Sequence, residues 1–236
     1  MKKLIKIILA ITIFTQLSFA SSEKIKIDII SDVVCPWCAI GYQRLSTAID
    51  ELDLKDKVDI TWHPFQLNPN MPREGLNADE YLKDKYNLSD DKLKQTRNNV
   101  TNLGKQSGFK FDYFKEMRKL NTFNSHILLD YAKKFGKQTE LKVRLQNAYF
   151  GERKDISNRD VLFKELQAVG LNAKEAMKTL DNDEYIKRVE NEENFWRAQG
   201  VYAIPTMVFN NQIAKVGASK VEDYKEILTK MLENNK

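Results

Sequence analysis

Residues 25–41 read Ile25-Lys26-Ile27-Asp28-Ile29-Ile30-Ser31-Asp32-Val33-Val34-Cys35-Pro36-Trp37-Cys38-Ala39-Ile40-Gly41, and the order of residue types there decides the fold. Positions 25–31 alternate and then turn wholly apolar, the pattern of a strand running into a core. Asp32 to Val34 form a short loop. From Pro36 onward Ile40, Leu45, Ala48, Ile49 and Leu52 make a helical stripe, and proline is favoured at the first helical position because no N–H is wasted there. Val58-Asp59-Ile60-Thr61-Trp62 reads as a second strand. The result is a β–loop–α–β unit with a cysteine pair at its helix N-terminus.

Beyond this unit, Pro64, Pro69, Pro72 and Gly75 take the chain out of the sheet as irregular structure. From about residue 79 to 199 nearly every pattern is helical. Ser89-Asp90 caps a helix ending near Gly104. Ile127, Leu128, Tyr131, Ala132 and Phe135 mark another stripe, stopped by Gly136, and further helices fit 138–150, 158–169 and 182–199. Strand character returns at Thr206-Met207-Val208-Phe209, with Asn210-Asn211 as the turn into a hairpin partner over 212–216. Val221, Tyr224, Ile227, Leu228 and Met231 form a last amphipathic helix. The expected fold class is α/β: βαβ, a large all-helical insertion, then ββα.

The N-terminus carries Lys2, Lys3 and Lys6 before an apolar run from Ile7 to Phe19, with Ser18-Phe19-Ala20 as a small-residue cleavage site before Ser21. This reads as a secretory signal over residues 1–20, an uncleaved anchor being the competing reading. The full chain has 38 basic and 33 acidic side chains, a net charge of +5. Without residues 1–20 the balance is 35 to 33, so the basicity is mostly the leader's. Interspersed charges of both signs give no nucleic-acid surface.

Cys35 and Cys38 are the only cysteines in 236 residues. A secreted protein ordinarily uses cysteines as paired staples, and a chain of this length can bury a full core without them. Two cysteines at this spacing on a helix start point to redox chemistry. Unpaired N–H groups and the positive end of the helix dipole favour a thiolate at Cys35, while Cys38, nearly one turn on, is placed to resolve a mixed disulfide. A zinc site would need His63 and His126 at no recognisable spacing. A structural disulfide would close too small a loop to stabilise much.

The segment from Ser31 to Gly41, with Trp62-His63-Pro64-Phe65-Gln66-Leu67-Asn68-Pro69 downstream, resembles the DsbA-like thioredoxin superfamily. The branch it resembles is that of the FrnE-type oxidoreductases, relatives of 2-hydroxychromene-2-carboxylate isomerases and kappa-class glutathione transferases. Asn121-Thr122 with His126, Ala148-Tyr149-Phe150, and Gly200-Val201 leading to Ile204-Pro205-Thr206 extend the resemblance over almost the whole mature chain. It implies a thioredoxin-like domain over 21–68 and 200–236, and a helical insertion with a return helix over 69–199. It also implies an extracytoplasmic thiol–disulfide oxidoreductase, oxidase-like or running as reductase or isomerase, with Cys35 as nucleophile and Cys38 as resolving thiol. Pro36 and Trp37 would tune the couple. Pro205 would be cis, and Ile204 before it would offer backbone groups to a bound peptide strand. Cysteine-containing proteins would be the substrates and a membrane redox partner the recycling agent. The expected protein is a periplasmic or otherwise secreted monomer with no cofactor. A glutathione-dependent isomerase or transferase, and a redox-inactive chaperone, are the alternatives on the same fold.

Two positions depart from the family pattern. The buried acid that often stands six residues before the first cysteine is replaced by Ile29, and Asp28 falls on the opposite side of the strand. Strongly oxidising relatives place a histidine between the cysteines, whereas Trp37 brings no charge, so a less depressed Cys35 pKa is expected. His63 reads as a satisfied structural histidine. His126, nearly opposite the stripe of its helix, is expected to face solvent; the alternative that the resemblance implies is a face of the insertion overlooking the cysteines, with His126 as a substrate-binding residue beside Ile204 and Pro205. Phe109, Phe111, Tyr113 and Phe114 read as insertion core rather than a substrate groove.

Overall fold

In β1 (Ile25–Ser31) the side chains alternate between two covered faces, and this alternation sets the layers of the molecule. The computed structural model describes residues 24–234; the expected leader, with its cleavage point at Ala20-Ser21, lies outside the described residues. β1 pairs in parallel with β2 (Val58–Pro64), Ile25 opposite Val58 through Ser31 opposite Pro64. On its other edge β1 runs antiparallel to β5 (Thr206–Phe209), which pairs with β6 (Ile213–Val216), giving the order β2-β1-β5-β6. Asn210 and Asn211 both adopt positive φ, a conformation asparagine tolerates in tight turns. The Asn210 side chain accepts the Lys26 amide at 2.8 Å.

Ile25, Ile27 and Ile29 point to one face, where α1 (Pro36–Glu51) and α9 (Val221–Asn234) cover them. Asp28 and Ile30 point to the other, under α8 (Asp183–Ala198): Ile30 packs with Phe65, Val201 and Trp196. This is a thioredoxin fold. Between β2 and α8 the chain builds α2 (Ala78–Tyr86), α3 (Asp90–Gln106), α4 (Phe123–Lys133), α5 (Gln138–Gly151), α6 (Arg159–Ala168) and α7 (Ala173–Lys178). Five of the helices after β2 start on a side-chain cap, from Asn77, Ser89, Asn158, Asn172 and Asn182.

The helical stretch is interrupted where the sequence pattern shows no break. Residues 109–117 run without regular structure into β4 (Arg118–Lys119), which pairs with β3 (Leu76–Asn77) as a two-residue ribbon. The reason is aromatic packing: Phe109 and Phe111 stack under α3 and against Phe150. Gly104 permits this approach, since a Cβ there would stand 2.4 Å from the Phe111 ring. Val33, Val34, Ala39 and Ile40 belong to the same core as Phe109, Leu128 and Leu145, so the helical layer closes over the N-terminus of α1. Among the described residues no helix is long and apolar enough to cross a membrane.

Candidate active site

Cys35 caps α1 from an extended conformation, followed by Pro36 at the first helical position. Its carbonyl accepts the Cys38 amide at 3.2 Å, and its side chain caps no backbone N–H. The two thiols are unbridged. Cys35 is 4 % exposed and Cys38 fully buried. Their protonation is asymmetric. A hydrogen bond from the Cys38 side chain, the largest influence, holds the Cys35 thiol below its ordinary value against the opposing effect of burial, with Lys119 assisting. Burial, and then the hydrogen bond given to Cys35, push Cys38 well above its own. The depressed Cys35 value arises without any charge on the two residues between the cysteines, Pro36 and Trp37.

Trp37 stands at the mouth, 39 % exposed. The Ile204–Pro205 peptide bond is cis. Pro205 is buried and Ile204 half-buried, and a Cβ on Gly41 of α1 would lie 3.2 Å from the Pro205 ring. Tyr202, two residues before Ile204, projects into solvent. The cysteines, Trp37 and the 204–205 turn thus share one end of the sheet, as do half-buried Lys119 and Tyr113 from the stretch before α4.

His126 is buried at 3 %, correcting the expectation of solvent exposure. Its helix, α4, is covered on both sides, by the helical core and by the end of the sheet, so a polar residue opposite the apolar stripe still lies inside. His126 Nε2 sits 3.4 Å from Asp32 Oδ1. Asp32 is 1 % exposed, and its other oxygen accepts the Leu67 amide at 2.9 Å. Burial opposes its ionisation, but His126, the Leu67 amide and Lys142 together hold the carboxyl below its usual range. The Asp32 backbone lies close enough to Cys38 to pull its thiol slightly back down against burial. Behind them Lys142 of α5 is 1 % exposed, its ammonium 5.2 Å from the centre of the Trp62 ring. Burial pushes Lys142 down to about 8, against the pull of Cys38, Asp32 and Cys35.

Sequence reasoning singled out neither Asp32 nor Lys142. The available signal was a lysine between Leu141 and Leu145 in a helix whose apolar residues lie on several sides, where no solvated face remains. His63, by contrast, is held structurally: Nε2 meets Asp28 at 2.7 Å and Nδ1 meets Glu192 at 2.6 Å, on the face of the sheet away from α1. Phe109 and Phe111 are buried core, while Tyr113 and Phe114 are only half-buried. Among the described residues no group of three or more His, Cys, Asp or Glu side chains is arranged to hold a metal ion.

A four-stranded thioredoxin sheet with a buried thiol pair at the N-terminus of its first helix defines a class, and the chain belongs to it. It is a member of the DsbA-like thiol oxidoreductase family, whose family model, the DSBA-like thioredoxin domain, matches residues 26–229. Among individual proteins it is 24% identical over 198 residues to the uncharacterized protein YwbO of Bacillus subtilis, covering 83% of this chain and 92% of that one. The fold is similar to a probable DsbA oxidoreductase from Streptomyces coelicolor, with a TM-score of 0.82 at 23% identity over 87% of this chain and 89% of that one. It is also similar to a 2-hydroxychromene-2-carboxylate isomerase, with a TM-score of 0.65 at 14% identity over 89% and 97%.

Proposed function

We propose that this protein is an extracytoplasmic thiol–disulfide oxidoreductase that donates the Cys35–Cys38 disulfide to cysteine-containing proteins. The observation that carries the reading is the opposite displacement of the two thiols, Cys35 towards thiolate and Cys38 towards thiol. The thiol of lower pKa is the better leaving group in exchange, and Cys35 is the less buried of the two. Stabilising its thiolate stabilises the reduced protein, which makes the disulfide form an oxidant. A substrate thiolate attacks Cys35 sulfur and displaces Cys38. A second substrate thiolate then attacks the substrate sulfur and releases Cys35.

The Ile204 backbone beside Pro205 supplies the edge on which an extended peptide would pair, and Trp37 and Tyr202 flank it with apolar surface. The reading includes a leader over residues 1–20 that takes the chain out of the cytoplasm, a monomer, and reoxidation by a membrane redox partner. Measuring the Cys35–Cys38 potential, with insulin reduction and oxidative refolding of a reduced substrate alongside, tests it. The expected result is catalysed refolding and a potential above that of thioredoxin, about −270 mV. A more reducing couple with fast insulin reduction would instead make the protein a reductase. Full activity in a Cys35→Ser protein would end both readings.

A further inference from the structure

Helix α1 carries the cysteines at its N-terminus, and its following turns make contacts that the chemistry at the cysteines leaves unexplained. Glycine is the poorest helix former after proline, yet Gly41 stands inside α1 and is buried. A Cβ there would lie 3.2 Å from Cγ of the Pro205 ring, 3.4 Å from the Met207 methyl and 3.5 Å from Cα of Ala218. The Met207 methyl can swing aside. A proline ring is closed on its own backbone, and Ala218 presents backbone itself. The missing side chain at Gly41 therefore lets the 204–205 turn sit against the helix.

Arg44, the neighbour of Gly41 one turn on, holds the loop beside that turn. Its Nη1 donates to the carbonyls of Ala218 at 3.0 Å and Ser219 at 3.3 Å, and its Nε donates to the Ser107 hydroxyl at the end of α3 at 3.2 Å. The loop so held reaches back to Pro205, whose carbonyl accepts the Gly217 amide at 2.7 Å. The turn is also tied to itself: the Thr206 hydroxyl donates to the Ala203 carbonyl at 2.7 Å. Residues 203–206 are thus joined to α1 by a packing contact at Gly41 and a hydrogen-bonded chain through Arg44. We infer that Gly41 and Arg44 are positioning residues that fix the Ile204 backbone, and so a bound substrate strand, in relation to Cys35. This rests on the peptide edge proposed above and assigns what aligns it.

One helix then sets both partners of the exchange, the attacked sulfur at its start and the substrate edge one to two turns further on. The attacking thiolate must approach Cys35 at near-contact distance and in line with the bond it breaks, so small misplacements of a bound substrate are costly. A peptide thiol inherits its position from the backbone paired at Ile204. A small dithiol has no backbone and finds its own approach. The Gly41 and Arg44 contacts therefore act on peptide substrates and leave the intrinsic reactivity of the Cys35–Cys38 disulfide alone.

The test is a single turnover: oxidised protein is mixed with excess of a reduced, unstructured peptide carrying two cysteines, and acid-quenched samples are weighed by mass spectrometry. The peptide leaves as its disulfide and the protein as the Cys35, Cys38 dithiol, so no further oxidant is needed. The rate gives a half-saturating peptide concentration and a limiting value, and reduction by dithiothreitol is measured alongside. Gly41→Ala should raise the half-saturating concentration at least about threefold and leave the dithiothreitol rate within about twofold. Arg44→Met should do the same, and Arg44→Lys should recover part of the loss, since an ammonium can still reach one carbonyl. Ser107→Ala, which removes only the bond to α3, should match the wild type. A structural role alone would not separate peptide from dithiothreitol. Unchanged half-saturation in Gly41→Ala and Arg44→Met overturns the assignment. So does a parallel fall of the peptide and dithiothreitol rates, which would place the contacts' effect on the cysteines, or a Ser107→Ala protein that behaves like Arg44→Met. A wild type that shows no saturation with peptide would remove the peptide edge of the proposed function itself, and this assignment with it.

Discussion

The side-chain amide of Gln138 lies along the backbone of Trp62, accepting its N–H and donating to its C=O, both at 2.9 Å. β2 is the outer strand of the sheet, and a bare edge of this kind is open to pairing with another chain. Gln138 takes the place of a neighbouring strand for one residue. The next residue, Thr139, accepts the Trp62 indole N–H at 2.9 Å, and Lys142 one turn further covers the ring. The first turn of α5 therefore fastens the helical layer to the sheet at the point that positions Lys142.

Gln138→Leu keeps the volume and leaves both backbone groups of Trp62 buried without partners. Each unsatisfied group costs about 1–3 kcal/mol, so a loss of at least about 2 kcal/mol is expected. For a chain of this size that corresponds to roughly 4–8 °C in Tm. Thermal unfolding measures it, and a change within about 0.5 kcal/mol, ordinary for a surface site, would show that water replaces the amide without cost.

A second fastening lies on the other face, where His63 is gripped between Asp28 and Glu192. Burial works against protonation, but the hydrogen bonds and charges of the two carboxylates outweigh it and raise the imidazole above its ordinary value of 6.5. A group whose folded pKa is raised contributes its full stabilisation below the unfolded pKa and loses it as pH climbs through the folded one. Thermal unfolding of the wild type and of His63→Gln should therefore differ most below about pH 6.5 and converge at higher pH. A gap that widens as pH rises would reverse the sign and exclude a protonated clamp.

The outline of the fold was legible because its strands and helices carry one-sided or strictly periodic patterns. The apolar run into Cys35, the Asn210-Asn211 turn and the amphipathic α9 each report local structure through local chemistry. The cysteines were legible because their spacing serves little besides redox exchange. His126 and Lys142 were not, for a common physical reason. Helical periodicity separates an inside from an outside only when a helix has one buried face. α4 and α5 lie between the sheet and other helices, so polar residues on their second faces are as buried as the first. The ribbon of β3 and β4 was invisible because it is two residues long on each side and pairs segments about 40 residues apart, Leu76 with Lys119 and Asn77 with Arg118, too short for any periodic pattern.

Cys38 supplies the largest influence holding Cys35 down, through its hydrogen bond, so the nucleophile depends on its partner. In the reduced wild type, iodoacetamide should label Cys35 with a midpoint below the ordinary thiol value of about 8.5 and leave Cys38 unlabelled until the protein is denatured. Cys38→Ala should shift the Cys35 midpoint upward. An unchanged midpoint would place the stabilisation in the helix N-terminus and Lys119 instead.

Trp37 offers the most direct control over the couple, because it stands between the cysteines, is 39 % exposed, and bears no charge. Trp37→His would bring a group that is partly cationic near neutral pH to the rim of the Cys35 thiolate. The reduced form is then stabilised relative to the disulfide. Each unit by which Cys35 is lowered is worth about 1.36 kcal/mol, equivalent to about 30 mV in a two-electron couple. The potential should therefore rise in Trp37→His, more at about pH 6 than at about pH 8, because only the imidazolium contributes. Equilibration with glutathione buffers at the two pH values, corrected for the thiol protons, measures this. The ring leaves little core packing behind it, so the shift should appear without a comparable loss of stability. A potential that rises equally at both pH values, or falls, would mean that the indole tunes the couple by excluding water from Cys35 rather than by lacking a charge.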